Sequence, residues 1–518
     1  MKVAIVHYHF RLSGVTQVIA QASRALKTME IQHVILVDEV PTGDEYKELP
    51  LRAVAGLGYD STDDVVEVLK RLKLTAKDAL GGEPDLWHFH NHSMGKNVVM
   101  SEVVAQLAES GAPMLLHIHD LAEDGRQQNY ANILKPERLY PIAANIHYAF
   151  LNEQDRKIFT ERGLPEDRSR VILNPVVIPE GSENKAKGDP VLFAPVRAIR
   201  RKNIGELVFL SALAPGGTRI AVSRAPEEKQ ALALHETWRK FAAYERLPIG
   251  FDVVGRYQPA TGAASDYRSW VEHCSHFITT SVSEGFGMTF LEAAAHGKPL
   301  LGRNIPRVTS EHTKRKISSG MLYDKLLVPL EWVDISILRQ HFDTTIERNY
   351  RYLGRKLDKG TIERAFGSLL HDGWLDYGNM PEPVQQAVVE RLADTSLKKI
   401  AQVVIDGKKR SCREWLEEVL KETKNSVKPN LLADYQPKAH GEALKQTYEE
   451  VLKAKTEGEP TFLNATAILD AHLIPENFHF LTSVIPPRPT TWGQYRAVIF
   501  DIYGTLLIAP QIGIAEPN

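Results

Sequence analysis

Short apolar, β-branched runs alternate with helical stretches twice along this chain, and that alternation restricts the fold more than any other feature. Val3 to His7 reads as a buried strand. The turn Arg11–Val15 follows, then a helix from about Thr16 to Met29 and a strand from His33 to Val37. Leu86–His90 and Met114–His119 are two more strands, with helical segments between them. Strands separated by helices pair in parallel, so this half is an α/β, doubly wound sheet. Ligands bind beyond the C-terminal strand ends of such a sheet, where His7, His9, His90, His92, His119 and Asp120 gather. The segment Glu180–Pro190, EGSENKAKGDP, is polar with Gly and Pro and reads as a linker. A second series then begins at Val191–Ala194 and continues through Arg219–Val222, Phe251–Val254, Phe277–Thr280 and Leu300–Gly302. The expected architecture is two Rossmann-like domains, 1–180 and 190–434, facing each other across a cleft. A charged, mostly helical stretch runs from about Leu330 to Lys455, and a tail occupies 458–518.

At 518 residues the chain asks for more than one core. A net charge of -2 argues against a nucleic-acid binder. The two cysteines, Cys274 and Cys412, make no disulfide framework, so a cytoplasmic location is expected. The opening MKVAIVHYHF is too short and polar for a signal peptide, and no apolar run is long enough for an integral membrane segment.

Chemistry concentrates in Ser283–Pro299, SEGFGMTFLEAAAHGKP. Gly285 and Gly287 leave the backbone bare in a turn that opens a short helix at Met288, with Gly297 and Pro299 ending it. Free N–H groups and the helix dipole there favour a phosphate. Glu284 in the turn and Glu292 one turn into the helix can accept hydrogen bonds from hydroxyls, so a nucleotide-sugar is the ligand class that fits. The stretch resembles the E-x7-E signature of retaining GT-B glycosyltransferases, the broad family that includes sucrose-phosphate synthase and trehalose synthase-like enzymes. The resemblance covers roughly Met1 to Leu452. It implies that Glu284 contacts the donor sugar and Glu292 the ribose, with Gly285, Phe286, Gly287, Met288 and Thr289 forming the donor turn.

Arg197 and Lys202, in PVRAIRRKN, match that family's R-x4-K spacing and are implied ligands of the donor diphosphate, where fixed cations stabilise the departing charge. Val196 and Asn203 stand where the family has glycines. Arg200 and Arg201 either compete for the phosphate role or are solvated surface charges. Gly14, in Ser13-Gly14-Val15, sits where the family has a Gly-Gly loop, with Ser13 replacing one glycine. His119 resembles the family's histidine beside the donor sugar, with Asp120 supporting it, while His117 is one step further back in the sheet and structural. Asn174 resembles a hinge residue before the interdomain linker. Tyr435–Leu452 resembles a terminal helix that returns to complete the N-terminal, acceptor domain. Asp85-Leu-Trp-His-Phe-His90-Asn91-His92 carries a close histidine pair, but no Cys or carboxylate has matching spacing, and the family needs no bound metal. The catalytic set expected from the resemblance is His119, Glu284, Arg197 and Lys202. No tightly bound cofactor is expected, only small-molecule donor and acceptor.

Ala497–Leu507, AVIFDIYGTLL, looks like the first motif of the haloacid dehalogenase superfamily, with Asp501 as nucleophile before Gly504 and Thr505. Pairing of sucrose-phosphate synthase-like enzymes with such phosphatases, fused or separate, points to a phosphorylated acceptor. Two rivals stand beside the transferase: a disaccharide (trehalose-type) phosphorylase, with free phosphate in the diphosphate position, and a non-catalytic nucleotide-sugar binding protein.

Overall fold

The computed structural model describes the chain apart from residues 12, 134, 178–185, 257–265, 318–320, 423–428, 456–457, 485–496, 501–505 and 510–518, and gives the backbone alone for 256, 429–430, 497–500 and 506–509. Met1–Ser483 is one compact unit and Val484–Asn518 another.

The first half of the larger unit is built on β1 (Lys2–Val6), β2 (Gln32–Val37), β3 (Leu51–Ala53), β4 (Leu86–His90), β5 (Met114–Ile118), β6 (Pro141–Ile142), β7 (Ile146–Phe150) and β8 (Ser169–Val171). All but β6 join one parallel sheet in the order 3-2-1-4-5-7-8. Helices cover both faces, so strands such as β4 and β5 are buried throughout and read as unbroken apolar or aromatic runs. The second half uses β9 (Val191–Arg197), β10 (Arg219–Arg224), β11 (Ile249–Gly250), β12 (His276–Thr279), β13 (Leu300–Arg303) and β14 (Leu322–Tyr323), ordered 11-10-9-12-13-14 and parallel. Each sheet reverses its strand order once, between β1 and β4 and between β9 and β12. Two doubly wound sheets of this kind, with their switch points turned to one cleft, are the GT-B architecture.

The helix Pro437–Lys453 returns to the first half. Leu444, Tyr448 and Val451 are fully buried there against Val3, Ile5, Ile19 and Leu115. Two local expectations change. Phe251–Val254 is not a strand: pairing ends at Gly250, Asp252 has φ 57°, and Val253 begins a short helical turn. A left-handed residue there breaks the extended run. The stretch read as mostly helical from Leu330 also carries strands, which join one just before it. Together they form an antiparallel layer of β15 (Lys325–Pro329), β16 (Leu370–His371), β17 (Trp374–Asp376), β18 (Gln402–Ile405) and β19 (Lys408–Ser411), ordered 16-17-15-18-19. A further strand, β20 (Thr461–Phe462), pairs antiparallel with β6.

The smaller unit contains an antiparallel pair, β21 (Ala497–Phe500) and β22 (Leu506–Ala509). Asp501, Gly504 and Thr505, the residues of the dehalogenase-like motif, lie outside the described residues.

Candidate functional site

The two switch points place their strand ends opposite one another. After β12 the chain turns through Ser283–Gly287 into the helix Met288–Ala295. Gly287 has φ 75°, and a Cβ there would lie 2.5 Å from Val308 Cγ1, so glycine is required by both conformation and space. No side chain caps the helix that follows, which leaves its first N–H groups for a ligand. The far end closes in a Schellman motif: Lys298 N–H donates to Ala293 O (2.9 Å), Gly297 N–H to Ala294 O (3.1 Å), and Gly297 is left-handed. Gly285 brings the two halves into backbone contact, since a Cβ on it would sit 2.7 Å from His119 O.

Lys202 and Glu284 meet at this turn. The Lys202 ammonium donates to Glu284 Oε1, and the two side chains are only 13% and 11% exposed. The loops that carry them are tied together: Thr280 Oγ1 donates to the carbonyls of Lys202 (2.9 Å) and Asn203 (3.0 Å), and Val282 N–H to Arg201 O (2.9 Å). Asn203 replaces the family's glycine in a left-handed conformation, φ 50°, that Asn tolerates better than most residues. Burial raises the Glu284 pKa, but the charges of Lys202 and Arg201 outweigh it and hold the carboxyl below its ordinary range. Glu292 has no such partner. Burial pushes its carboxyl up to about 7, moderated by the Tyr267 hydroxyl, which donates to Oε2 at 2.9 Å, and by Lys202.

Across the cleft, His119 follows β5. Asn91, left-handed at φ 57°, accepts from the backbone N–H groups of His119 (2.7 Å) and Asp120 (3.0 Å) through Oδ1. Asp120 is bound by Arg126. His119 Nε2 lies 2.8 Å from His90 Nδ1, its Nδ1 is buried without a partner, and burial pulls its pKa to about 3, so the ring is neutral. His7, His9 and His90 gather with it, but His92 turns away, its Nε2 lying 3.0 Å from Leu139 O. Behind it His117 stacks on His119 at 4.2 Å. His88, His90 and His117 are the group of described residues that comes nearest to a metal-ligand set, with nitrogens within 4.8 Å of one another. Their ring planes differ by only 10° to 34°. Nearly parallel rings carry their lone pairs side by side rather than toward one point, and His88 is further tied to Tyr448 at 2.8 Å. The stack therefore fits packing better than ligation.

Lys202, Glu284, Glu292 and His119 are thus gathered at one place. Arg197, at the end of β9, is 41% exposed and 3.6 Å from Glu227, and its charge reaches His9 and Tyr59 across the cleft. Gly14 starts the helix Gly14–Thr28, capped by Ser13 Oγ, and a Cβ there would meet nothing. Phe286 is buried with Leu151, Val176, Leu291 and Tyr435, and Met288 packs on the same cluster. Asn174 is buried in the same crossing, beside Val176, whose N–H donates to Tyr435 O (2.6 Å). Sequence reasoning missed Asn91, Tyr267 and Arg307. Arg307 crosses the cleft to Asp124 (2.6 Å) and Asp155. Only Asn91 carried a local signal, its place at a strand end.

No family model matches the chain. The mannosylglucosyl-3-phosphoglycerate synthase of Petrotoga mobilis (strain DSM 10674 / SJ95) is 26% identical over 408 residues, spanning 70% of this chain and 78% of that protein. Among solved structures, Anabaena Alr3699/HepE in complex with UDP and glucose aligns with a TM-score of 0.48 at 12% identity, over 87% of this chain and 99% of that one. The lipopolysaccharide outer core galactosyltransferase WaaB, in its apo form, aligns with a TM-score of 0.40 at 15% identity, over 59% and 82%.

Proposed function

We propose that the chain transfers a sugar from a nucleotide-diphosphate sugar to a hydroxyl of a small phosphorylated acceptor, with retention at the anomeric carbon. It is a glycosyltransferase of the GT-B fold. The observation that carries the finer reading is the Lys202–Glu284 pair at the mouth of an uncapped helix, set against the backbone of His119. The half built on β9–β14 takes the donor. The half built on β1–β8, completed by Pro437–Lys453, takes the acceptor. Diphosphate lies at the helix N-terminus with Lys202 and Arg197, ribose hydroxyls on Glu292, and the sugar between Glu284 and neutral His119, with Gly14 open to the ligand.

In this reading the acceptor hydroxyl attacks from the face the diphosphate leaves, and a leaving-phosphate oxygen takes its proton. Glu284, already bound to Lys202, orients the sugar and does not attack it. Fixed cations neutralise the leaving group, without a bound metal. The Petrotoga relative is named for a phosphoglycerate-bearing product, and a phosphorylated acceptor fits the same chemistry here. A cytoplasmic setting and a haloacid dehalogenase-type phosphatase, fused or separate, complete the proposal. Among the described residues no helix is long and apolar enough to cross a membrane.

The test is a screen of UDP-, GDP- and ADP-sugars against pooled phosphorylated acceptors, followed by nucleoside diphosphate release and the anomeric configuration of the product. Acceptor-dependent release that survives a chelator, with a retained anomer, is expected. Phosphate-dependent cleavage of a disaccharide with no turnover of any nucleotide-sugar would establish the phosphorylase instead. Nucleotide-sugar binding without turnover would establish the binding protein.

Glu292 adds a pH signature. Its carboxyl, raised by burial to about 7, must be ionised to accept two ribose hydroxyls. The ratio kcat/KM for donor reports groups of the free enzyme. It is expected to fall as pH drops below about 7, and Glu292→Gln should flatten that limb while lowering the plateau.

A further inference from the structure

We propose that Arg201 binds the donor diphosphate as a third cation beside Arg197 and Lys202; this deepens the nucleotide-sugar reading and rests on it. Four cations fall within six residues at and just after the end of β9, Arg197, Arg200, Arg201 and Lys202, and the structure gives them different fates. Arg200 is committed to the fold: Nε and Nη2 donate to the Glu382 carboxylate at 2.5 and 2.9 Å, and Nη1 to Ser483 O at 2.6 Å. Lys202 is paired with Glu284, so those two charges cancel. Arg197 stands at the cleft surface opposite Glu227.

Arg201 differs from all three. Its guanidinium Nε is closed off from solvent and has no hydrogen-bond partner. Its backbone is pinned to the donor turn, because Arg201 O accepts from Val282 N–H at 2.9 Å. Its charge acts on both members of the central pair: after Lys202 it is the charge that most lowers the Glu284 pKa, and it adds to the burial that lowers Lys202. The guanidinium therefore lies within electrostatic reach of the pair.

A buried N–H left without an acceptor is costly, and the carboxylate that the half-buried Arg201 acts on, Glu284, is already engaged by a lysine. A diphosphate supplies both an acceptor and a counter-charge. Its oxygens accept from a planar fork, and its charge exceeds what Arg197 alone can meet. A nucleoside or a neutral sugar supplies acceptors but no counter-charge. The ligand class assigned to Arg201 is therefore the diphosphate, rather than the base, ribose or acceptor sugar.

The test uses the full chain and isothermal titration of UDP, GDP and ADP and their parent nucleosides, for wild type, Arg201→Gln and Arg201→Lys. Wild type is expected to prefer one diphosphate over its nucleoside. Arg201→Gln should lose about 10- to 100-fold in diphosphate affinity, the scale of a charge-assisted hydrogen bond, with nucleoside affinity unchanged. Arg201→Lys, which keeps the charge without the fork, should lose less and hold nucleoside affinity. If Arg201→Gln also weakens the nucleoside, the lysine variant decides: an undiminished diphosphate preference there overturns the proposal. A glutamine variant that keeps the wild-type preference overturns it outright. A wild type with no preference for any diphosphate over its nucleoside overturns the donor reading, and Arg201's role falls with it.

Discussion

Replacing Lys202 with alanine should lower kcat by about 10²- to 10³-fold, the usual loss when one pre-positioned donor to a developing negative charge is removed. Two effects are superimposed in that variant, and they separate. Lys202 is the ammonium at the proposed leaving group. It is also the partner of Glu284, and the two side chains are 13% and 11% exposed. Without Lys202, burial again dominates the Glu284 carboxyl, with Arg201 and the Ser281 hydroxyl left to oppose the rise in its pKa. Breaking one half of a buried pair costs up to about 3–5 kcal/mol, and the residual exposure here makes the loss smaller. A Lys202→Ala/Glu284→Gln double variant should therefore recover stability without recovering kcat. Full turnover in Lys202→Ala, measured as nucleoside diphosphate release at saturating donor, would remove Lys202 from the chemistry. Recovery of kcat in the double variant would show that the lysine acts only by neutralising Glu284.

The parts of this arrangement that could be read from sequence share a physical cause. Parallel strands covered on both faces bury every residue, so β1, with Val3, Ala4, Ile5 and Val6 all at 0% exposure, stands out as an apolar run. Gly287 and Gly297 were legible because left-handed backbone at a helix start and end needs glycine, and both have positive φ. The antiparallel layer β15–β19 was not legible. Its strands are two to five residues long, and β19 reads KKRS, with no apolar residue to betray a strand.

Long-range contacts had no local signature either. Arg307 reaches Asp124 across 183 positions and Asp155 across 152, and nothing in the helix Pro306–Lys314 marks which of its charges crosses the cleft. The run Arg200-Arg201-Lys202 shows the same limit at close range. The sequence shows three cations in a row, while their separate partners, Glu382 for the first and Glu284 for the last, lie 182 and 82 positions away. Charge type is written in the chain; the identity of the counter-charge is a property of the fold.

Arg303→Ala is the substitution expected to cost the most stability, about 3–5 kcal/mol. Arg303, at the end of β13, donates Nε to Glu206 Oε1 (3.0 Å) and Nη2 to Glu206 Oε2 (2.6 Å), and its Nη1 and Nη2 to Asp376 (2.9 and 2.8 Å). Glu206 belongs to the helix Ile204–Leu213 and Asp376 ends β17, so one guanidinium joins the donor-side sheet to the antiparallel layer. Side-chain exposure is 6% for Arg303, 0% for Glu206 and 12% for Asp376. In the wild type the two acids pull in opposite directions. Burial raises the Glu206 pKa despite Arg303, which favours stability as pH falls. For Asp376 burial also raises the pKa, but Arg303 outweighs it and holds the carboxyl low. That contribution is present above the unfolded-state pKa and lost as pH falls through the folded one. Alanine removes the main group that holds Asp376 down and leaves two carboxylates close together without a cation, so both pKa values rise. Each then binds a proton more readily folded than unfolded, and the variant should regain stability as pH is lowered from about 8 toward 5. Urea midpoints for wild type and variant at three pH values would show a gap that narrows in acid. A gap that is constant or widens with acid would mean that the cost comes from lost packing around the arginine stem rather than from stranded charge. Adding Glu206→Gln and Asp376→Asn should then restore little.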